Sequence, residues 1–259
     1  MMEHDSPSRI TALDRPGIAV VTGGGGGIGA AIVRRLVGDG IRTVLTYRSA
    51  VPEDLVNELG DAVETARLDV TDSVAADELA TTLAQRHGGV HTVVHAAGPH
   101  VPMVHLSKVS VEQFAHQVDQ DLVGFFTVAR AFLPALRDAA GSLTVVTSAA
   151  TRRYPVRDGL SAAPKGGVEA LARGLAAEEG RFGVRVNCVG PGMLWDGMSA
   201  RLMASGDLDE RALAVAKSNI PLRTFGTADD IAEAVAFLAS PKAGFITGQK
   251  LDVDGGFSV

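Results

Sequence analysis

The hydrophobic pattern changes period along the chain. Short apolar runs occupy 17–22, 42–47, 63–70, 90–94 and 143–147; another begins at 184, and a last one closes the chain within 246–256. Continuous apolar runs of this length suit strands buried on both faces of a parallel sheet. Between them the spacing becomes helical. One such stretch begins after Gly29 with Ile32 and Leu36, and another covers 52–60. Ser73 is placed to cap a helix carrying Leu79 and Leu83 on one face. Ser110-Val-Glu-Gln113 is a capping box that opens a long helix. Further helices are predicted over 166–179 and, behind Thr227 and Asp230, over 231–239. Strands alternating with helices predict an open α/β fold built on parallel strands. Ligands of such sheets bind in the crevice at the carboxyl ends of the strands.

Two stretches bring chemistry to that crevice. After the first strand come Thr22, five glycines from Gly23 to Gly27, then Ile28 and Gly29. Strand, glycine turn and helix form the context of a dinucleotide-binding turn, whose backbone N–H groups approach a pyrophosphate. The second stretch is Ser148-Ala-Ala-Thr-Arg-Arg-Tyr154-Pro-Val-Arg-Asp-Gly-Leu-Ser161-Ala-Ala-Pro-Lys165, between a strand and a helix. At the end of the second strand stand Arg48 and Ser49, with no carboxylate that would bind a ribose 2′-hydroxyl. Arg48 can pair with a 2′-phosphate instead, which favours NADP(H) over NAD(H).

Together these motifs resemble the short-chain dehydrogenase/reductase family over about residues 16–256, with the glycine spacing Thr22-Gly23-x-x-x-Gly27-x-Gly29. The resemblance implies an α/β, Rossmann-type doubly wound, mostly parallel sheet of seven strands with helices on both faces, and an NADP(H)-dependent oxidoreductase acting on a small molecule. It also implies a homotetramer or homodimer. Carried over by position, Asp69 and Val70 would contact the adenine, and Ala96-Ala97-Gly98 would let the backbone lie against the cofactor. Pro191 and Gly192, with Leu194 beyond, would hold the nicotinamide amide, and Lys165 its ribose. The family's Ser and Lys correspond to Ser148 and Lys165, but the Tyr position between them is Ser161, and the family's helix Asn is Asp121. The family's Thr five residues after Pro191 is Asp196.

These departures leave three readings. Hydride transfer to an iminium or hemiaminal carbon needs no strong acid, and Asp121 would stabilise its positive charge. A carbonyl reductase would need a substitute donor, such as Tyr154 or His100. A catalytically inactive NADP-binding sensor or scaffold is the third. Catalytic candidates are therefore Ser148, Lys165, Asp121, Ser161 and Tyr154. His95 reads as structural, and His100 and His105 as facing the substrate.

Composition narrows the partners. The formal charge is −6 with both signs interspersed, which argues against nucleic acid. No apolar run is long enough to span a membrane. The lone cysteine, Cys188, lies in an apolar run and suits a reducing, cytoplasmic setting. No residue pattern calls for a metal. Residues 1–15 read as a loose polar tail, 16–259 as one catalytic domain, and 193–220, with Trp195, as a flap over the substrate.

Overall fold

A computed structural model describes residues 16–99, 101–195 and 210–259, with the backbone alone over 210–213. The elements run β1 (Ile18–Thr22), α1 (Gly27–Gly38), β2 (Thr43–Tyr47), α2 (Glu53–Leu59), β3 (Val63–Arg67), α3 (Ser73–His87) and β4 (Val90–His95). Then follow α4 (Val111–Val118), α5 (Gly124–Asp138), β5 (Ser142–Val146), α6 (Gly159–Glu179) and β6 (Arg185–Pro191). The last are α7 (Glu210–Ser218), α8 (Ala228–Ala239) and β7 (Lys250–Val253).

The strands form one seven-stranded sheet in the order β3-β2-β1-β4-β5-β6-β7. Every neighbouring pair is parallel. Side chains of a strand alternate between faces, and β1 shows it directly. Ile18 and Val20 join the apolar layer under α3, α5 and α6. Ala19 and Val21 join the layer under α1 and α8. The strand order reverses between β1 and β4, so the crevice opens there, above their carboxyl ends.

Four boundaries differ from the sequence expectation. β3 stops at Arg67, because Asp69 Oδ1 accepts from Thr71 N and Oγ1 at 3.0 and 2.8 Å and bends the chain off the sheet. The cap of α3 is Asp72, not Ser73: the Asp72 carboxylate accepts from the N–H groups of Val74 and Ala75. The long helix after Ser110 has the expected capping box, but a wide π turn over Asp119–Val123 interrupts it. Helix α6 begins at Gly159, well before 166, and carries Pro164 inside it. A proline there forfeits the bond to the Leu160 carbonyl. Burial of Leu160, Ala162 and Pro164 offsets the loss.

Candidate active site and cofactor cleft

The glycine turn is shaped by close approach. Gly23 has φ +71°, and a Cβ on it would lie 2.6 Å from the Ala97 Cα. A Cβ on Gly29 would fall 2.1 Å from the Gly23 carbonyl oxygen, so only glycine lets α1 seat against the turn. The cap of α1 is Gly26, with no side-chain hydrogen bond, which leaves first-turn N–H groups for an anion.

A cleft of about 300 Å³ opens beside this turn. Its walls include Gly23, Gly26, Arg48, Ser49, Asp69, Val70, Ala96, Ala97, Gly98 and Gln120. Arg48 Nη1 donates to Gln120 Oε1 at 3.0 Å, which fixes the guanidinium at one end. Arg67 Nε donates to the Arg48 carbonyl at 3.3 Å, bringing a second guanidinium to the rim. Hydrogen bonds from the Thr71 N–H and hydroxyl hold the Asp69 carboxyl below its ordinary range, with Arg48 adding to the effect.

The other end carries buried charge. Asp121 sits on the π turn, 3% exposed, and its Oδ1 accepts from Lys165 Nζ at 3.2 Å. Gln117 Nε2 donates to the other carboxylate oxygen at 2.6 Å. A Cβ built on Gly98 would stand 3.3 Å from Asp121 Oδ1 and 3.6 Å from Lys165 Nζ. The ion pair thus packs on a residue that also lines the cleft. Gly167 of α6 approaches the π turn closely, since a Cβ there would meet Leu122 at 3.0 Å. One wide turn therefore presents Gln120 to Arg48 and Asp121 to Lys165.

Ser148 follows β5 and is half-buried. Its Oγ accepts from Ala150 N at 3.1 Å, and its own hydrogen stays available to a substrate oxygen. Behind it, Lys250 Nζ donates to the Ser148 carbonyl at 2.8 Å while pairing with Glu169 and Asp252, each at 2.9 Å. A buried ion cluster thus fixes the loop that carries the hydroxyl. Asp158 precedes α6, and burial pushes its carboxyl up to about 6, against the opposing pull of Lys165. His95 is fully buried: burial first, then the Lys165 charge, push it down to about 3, so it is neutral at working pH. Its Nδ1 meets Thr22 Oγ1 at 2.9 Å, and among the described residues its Nε2 has no hydrogen-bond partner. The sequence led us to expect a satisfied histidine here, and only one of its ring nitrogens is satisfied.

Of the residues expected at the cofactor, eight line the cleft: Gly23, Arg48, Ser49, Asp69, Val70, Ala96, Ala97 and Gly98. Thr22 is wholly buried against His95, and Ile28 packs into the apolar layer under α1. Gly27 opens α1 and Gly29 seats it. Lys165 stands just past Gly98. Pro191 ends β6, Gly192 N donates to the Val253 carbonyl at 2.9 Å, and Leu194 bridges to Gly226. Tyr154 is 50% exposed and, among the described residues, no hydrogen bond ties it to Lys165 or Ser148. His100, Asp196 and the tail 1–15 lie outside the described residues, as does much of the flap. Trp195, at its near edge, packs edge-on against Phe225 with Lys217 over its ring. Sequence reasoning missed Gln117, Gln120, Arg67, Asp158 and Lys250. Arg67 had a signal, since β3 pairs with β2 at Tyr47–Arg67, beside Arg48. Cys188 is buried in β6, as expected, with its thiol pushed up to about 12 mainly by burial.

The sequence profile described as enoyl-(acyl carrier protein) reductase matches residues 23–258. The chain belongs to the short-chain dehydrogenase/reductase family. It is 34% identical to the L-fucose dehydrogenase of Mus musculus over 92% of this chain and 87% of that one. It is also 34% identical to the 3-oxoacyl-[acyl-carrier-protein] reductase MabA of Mycobacterium tuberculosis, over 93% of this chain and 92% of that one. A short-chain type dehydrogenase/reductase from Mycobacterium ulcerans superposes with a TM-score of 0.87 at 28% identity, covering 94% and 90% of the two chains. The actinorhodin polyketide ketoreductase, solved with NADPH, gives 0.86 at 27% identity over 94% and 97%. The protein is thus an oxidoreductase of a family that uses nicotinamide cofactors. No helix among the described residues is long and apolar enough to cross a membrane.

Proposed function

We propose that this enzyme uses NADP(H) to interconvert a carbonyl and an alcohol on a small organic molecule. The observation that carries the reading is the placement of Lys165 Nζ against Gly98, in the wall of the cleft whose far end holds Arg48. One groove then takes the 2′-phosphate at Arg48 and Arg67, the pyrophosphate at the glycine turn, and the nicotinamide ribose at Lys165. The bound cofactor supplies or accepts the hydride. Ser148 donates its hydroxyl hydrogen to the substrate oxygen and orients it. Lys165 holds the ribose hydroxyls, and Asp121 holds Lys165.

The family phenol is replaced by Ser161, and this favours a second reading, reduction of an iminium or hemiaminal carbon. That reading asks Asp121 to face the reacting carbon. Its carboxylate is instead bound on both oxygens, to Lys165 and Gln117, at 3% exposure. We therefore place the carbonyl reading first. The relatives' names suggest two probes, a sugar hemiacetal such as L-fucose and a 3-oxoacyl thioester. The test follows NADPH consumption with these, a simple ketone and a matched cyclic imine. Turnover of a carbonyl or its alcohol supports the first reading, and turnover of the imine alone supports the second. On the same reading the enzyme works in the cytoplasm as a homodimer or homotetramer, and Tyr154 is a surface residue outside the chemistry.

A further inference from the structure

The carbonyl reading needs a proton donor that Ser161 cannot supply, since an aliphatic hydroxyl is too weak an acid. Resting on that reading, we propose that Asp158 is the general acid and base of the reaction. It immediately precedes α6, and Asp158, Ser161 and Lys165 fall at i, i+3 and i+7, a single stripe of the helix. Seven residues at helical rise put Asp158 and Lys165 about 10 Å apart along the axis. Helical side chains lean toward the N-terminus, the side of α6 on which Asp158 stands, and the Lys165 ammonium itself meets Asp121 and Gly98. The Lys165 charge is felt at the Asp158 carboxyl.

An aspartate just before a helix ordinarily caps it. Asp158 does not: its side chain makes no cap bond, while its carbonyl serves Ser161 N and Ala162 N at 3.1 and 2.8 Å. Among the described residues its carboxyl has no hydrogen-bond partner. It is a partly buried acid that the fold leaves uncommitted, with a pKa of about 6, raised by burial. Among the described residues the charged and titratable groups near it can be named. Lys165 shares its stripe, with Asp121 behind. Arg157 turns away, donating through Nε and Nη2 to the Met103 carbonyl at 3.1 and 2.9 Å. The loop over the start of α6 packs Leu106 beside Gly159 and carries His105 and Lys108, and Tyr154 lies upstream at the surface.

In reduction, the hydride of NADPH forms the new C–H bond and the carbonyl π pair moves to oxygen. That oxygen takes the proton of the Asp158 carboxylic acid, leaving NADP⁺, an alcohol and a carboxylate that water reprotonates. In oxidation the carboxylate removes the hydroxyl proton as hydride leaves for NADP⁺. The reductive rate should then be full below pH 6 and fall about tenfold per unit above it, while the oxidative rate should rise through pH 6 and level off.

The experiment compares wild type, Asp158→Asn and Asp158→Glu. Asp158→Asn should lower turnover by about a hundredfold or more and erase the pH 6 limb, with NADPH affinity within about twofold of wild type. Asp158→Glu should restore part of the rate and the limb. Two further readouts need no turnover. The infrared band of a protonated carboxyl should disappear with a midpoint near pH 6 in wild type and be absent in Asp158→Asn. Because the folded pKa lies above the unfolded one, wild-type stability falls as pH rises from about 4 to 6. The melting temperature of Asp158→Asn should therefore exceed that of wild type at pH 7.5 and match it at pH 4. Undiminished Asp158→Asn turnover with the pH 6 limb intact overturns Asp158 alone. A wild type inert toward every carbonyl and alcohol probe overturns the carbonyl reading and this proposal with it.

Discussion

At the adenosine end of the cleft the wall is mostly backbone: the glycine turn, the close contact of Gly23 with Ala97, and one arginine held by Gln120. Past Gly98, toward the proposed reacting end, stands buried charge: Asp121 against Lys165, and Lys250 with Glu169 and Asp252 behind Ser148. The first end is defined by what cannot be there, a Cβ. The second is defined by which charges neutralise which. A backbone site tolerates no change at its glycines and much change elsewhere. A site of coupled charges tolerates a change only when the partner changes too.

The largest expected effect breaks the backbone end. Gly29→Ala drives a Cβ into the Gly23 carbonyl oxygen, and a shift of the turn should cost 4 kcal/mol or more, roughly, in denaturant unfolding and abolish NADPH binding. Retained cofactor affinity in that variant would remove the contrast. Next comes the charge end. Lys165→Met leaves Asp121 unpaired at 3% exposure, so it should lose about 3–5 kcal/mol of stability along with NADPH affinity. Adding Asp121→Asn should return most of the stability but not the affinity. If the double variant is no more stable than the single, the two charges are not coupled. Smaller still is the selectivity of the adenosine end. Arg48→Ala should cut the preference for NADPH over NADH about ten- to a hundredfold, and Arg67→Ala by less, since it stands at the rim. Equal dissociation constants for the two cofactors in wild type would end that assignment.

The same contrast explains what could be read from the chain. Strand and helix periods carried the α/β alternation and the buried parallel strands, and the glycine spacing carried the turn, because both are written in consecutive residues; the count of seven strands came with the resemblance. Asp121 and Lys165 were legible as candidates through the family resemblance, but standing 44 positions apart they are brought to 3.2 Å only by the fold. Asp158 drew no reading from the sequence, because the helix behind it was expected to start only at 166. Pro164 stands inside α6, and the packing of Leu160 and Ala162 shows why the helix runs through it. The π turn left no trace in the apolar pattern either, yet it is what turns Gln120 and Asp121 to the two ends of one cleft.

Whether the cleft carries a hydride to or from a carbonyl carbon with NADP(H) is decided by single-turnover oxidation of NADPH prebound to the wild type. Mixed with a ketone or 3-oxoacyl thioester, the bound cofactor should be consumed in one exponential whose rate falls as pH rises through 6, with a matched cyclic imine slower. Consumption by the imine alone, or bound NADPH that no substrate oxidises, would contradict the account.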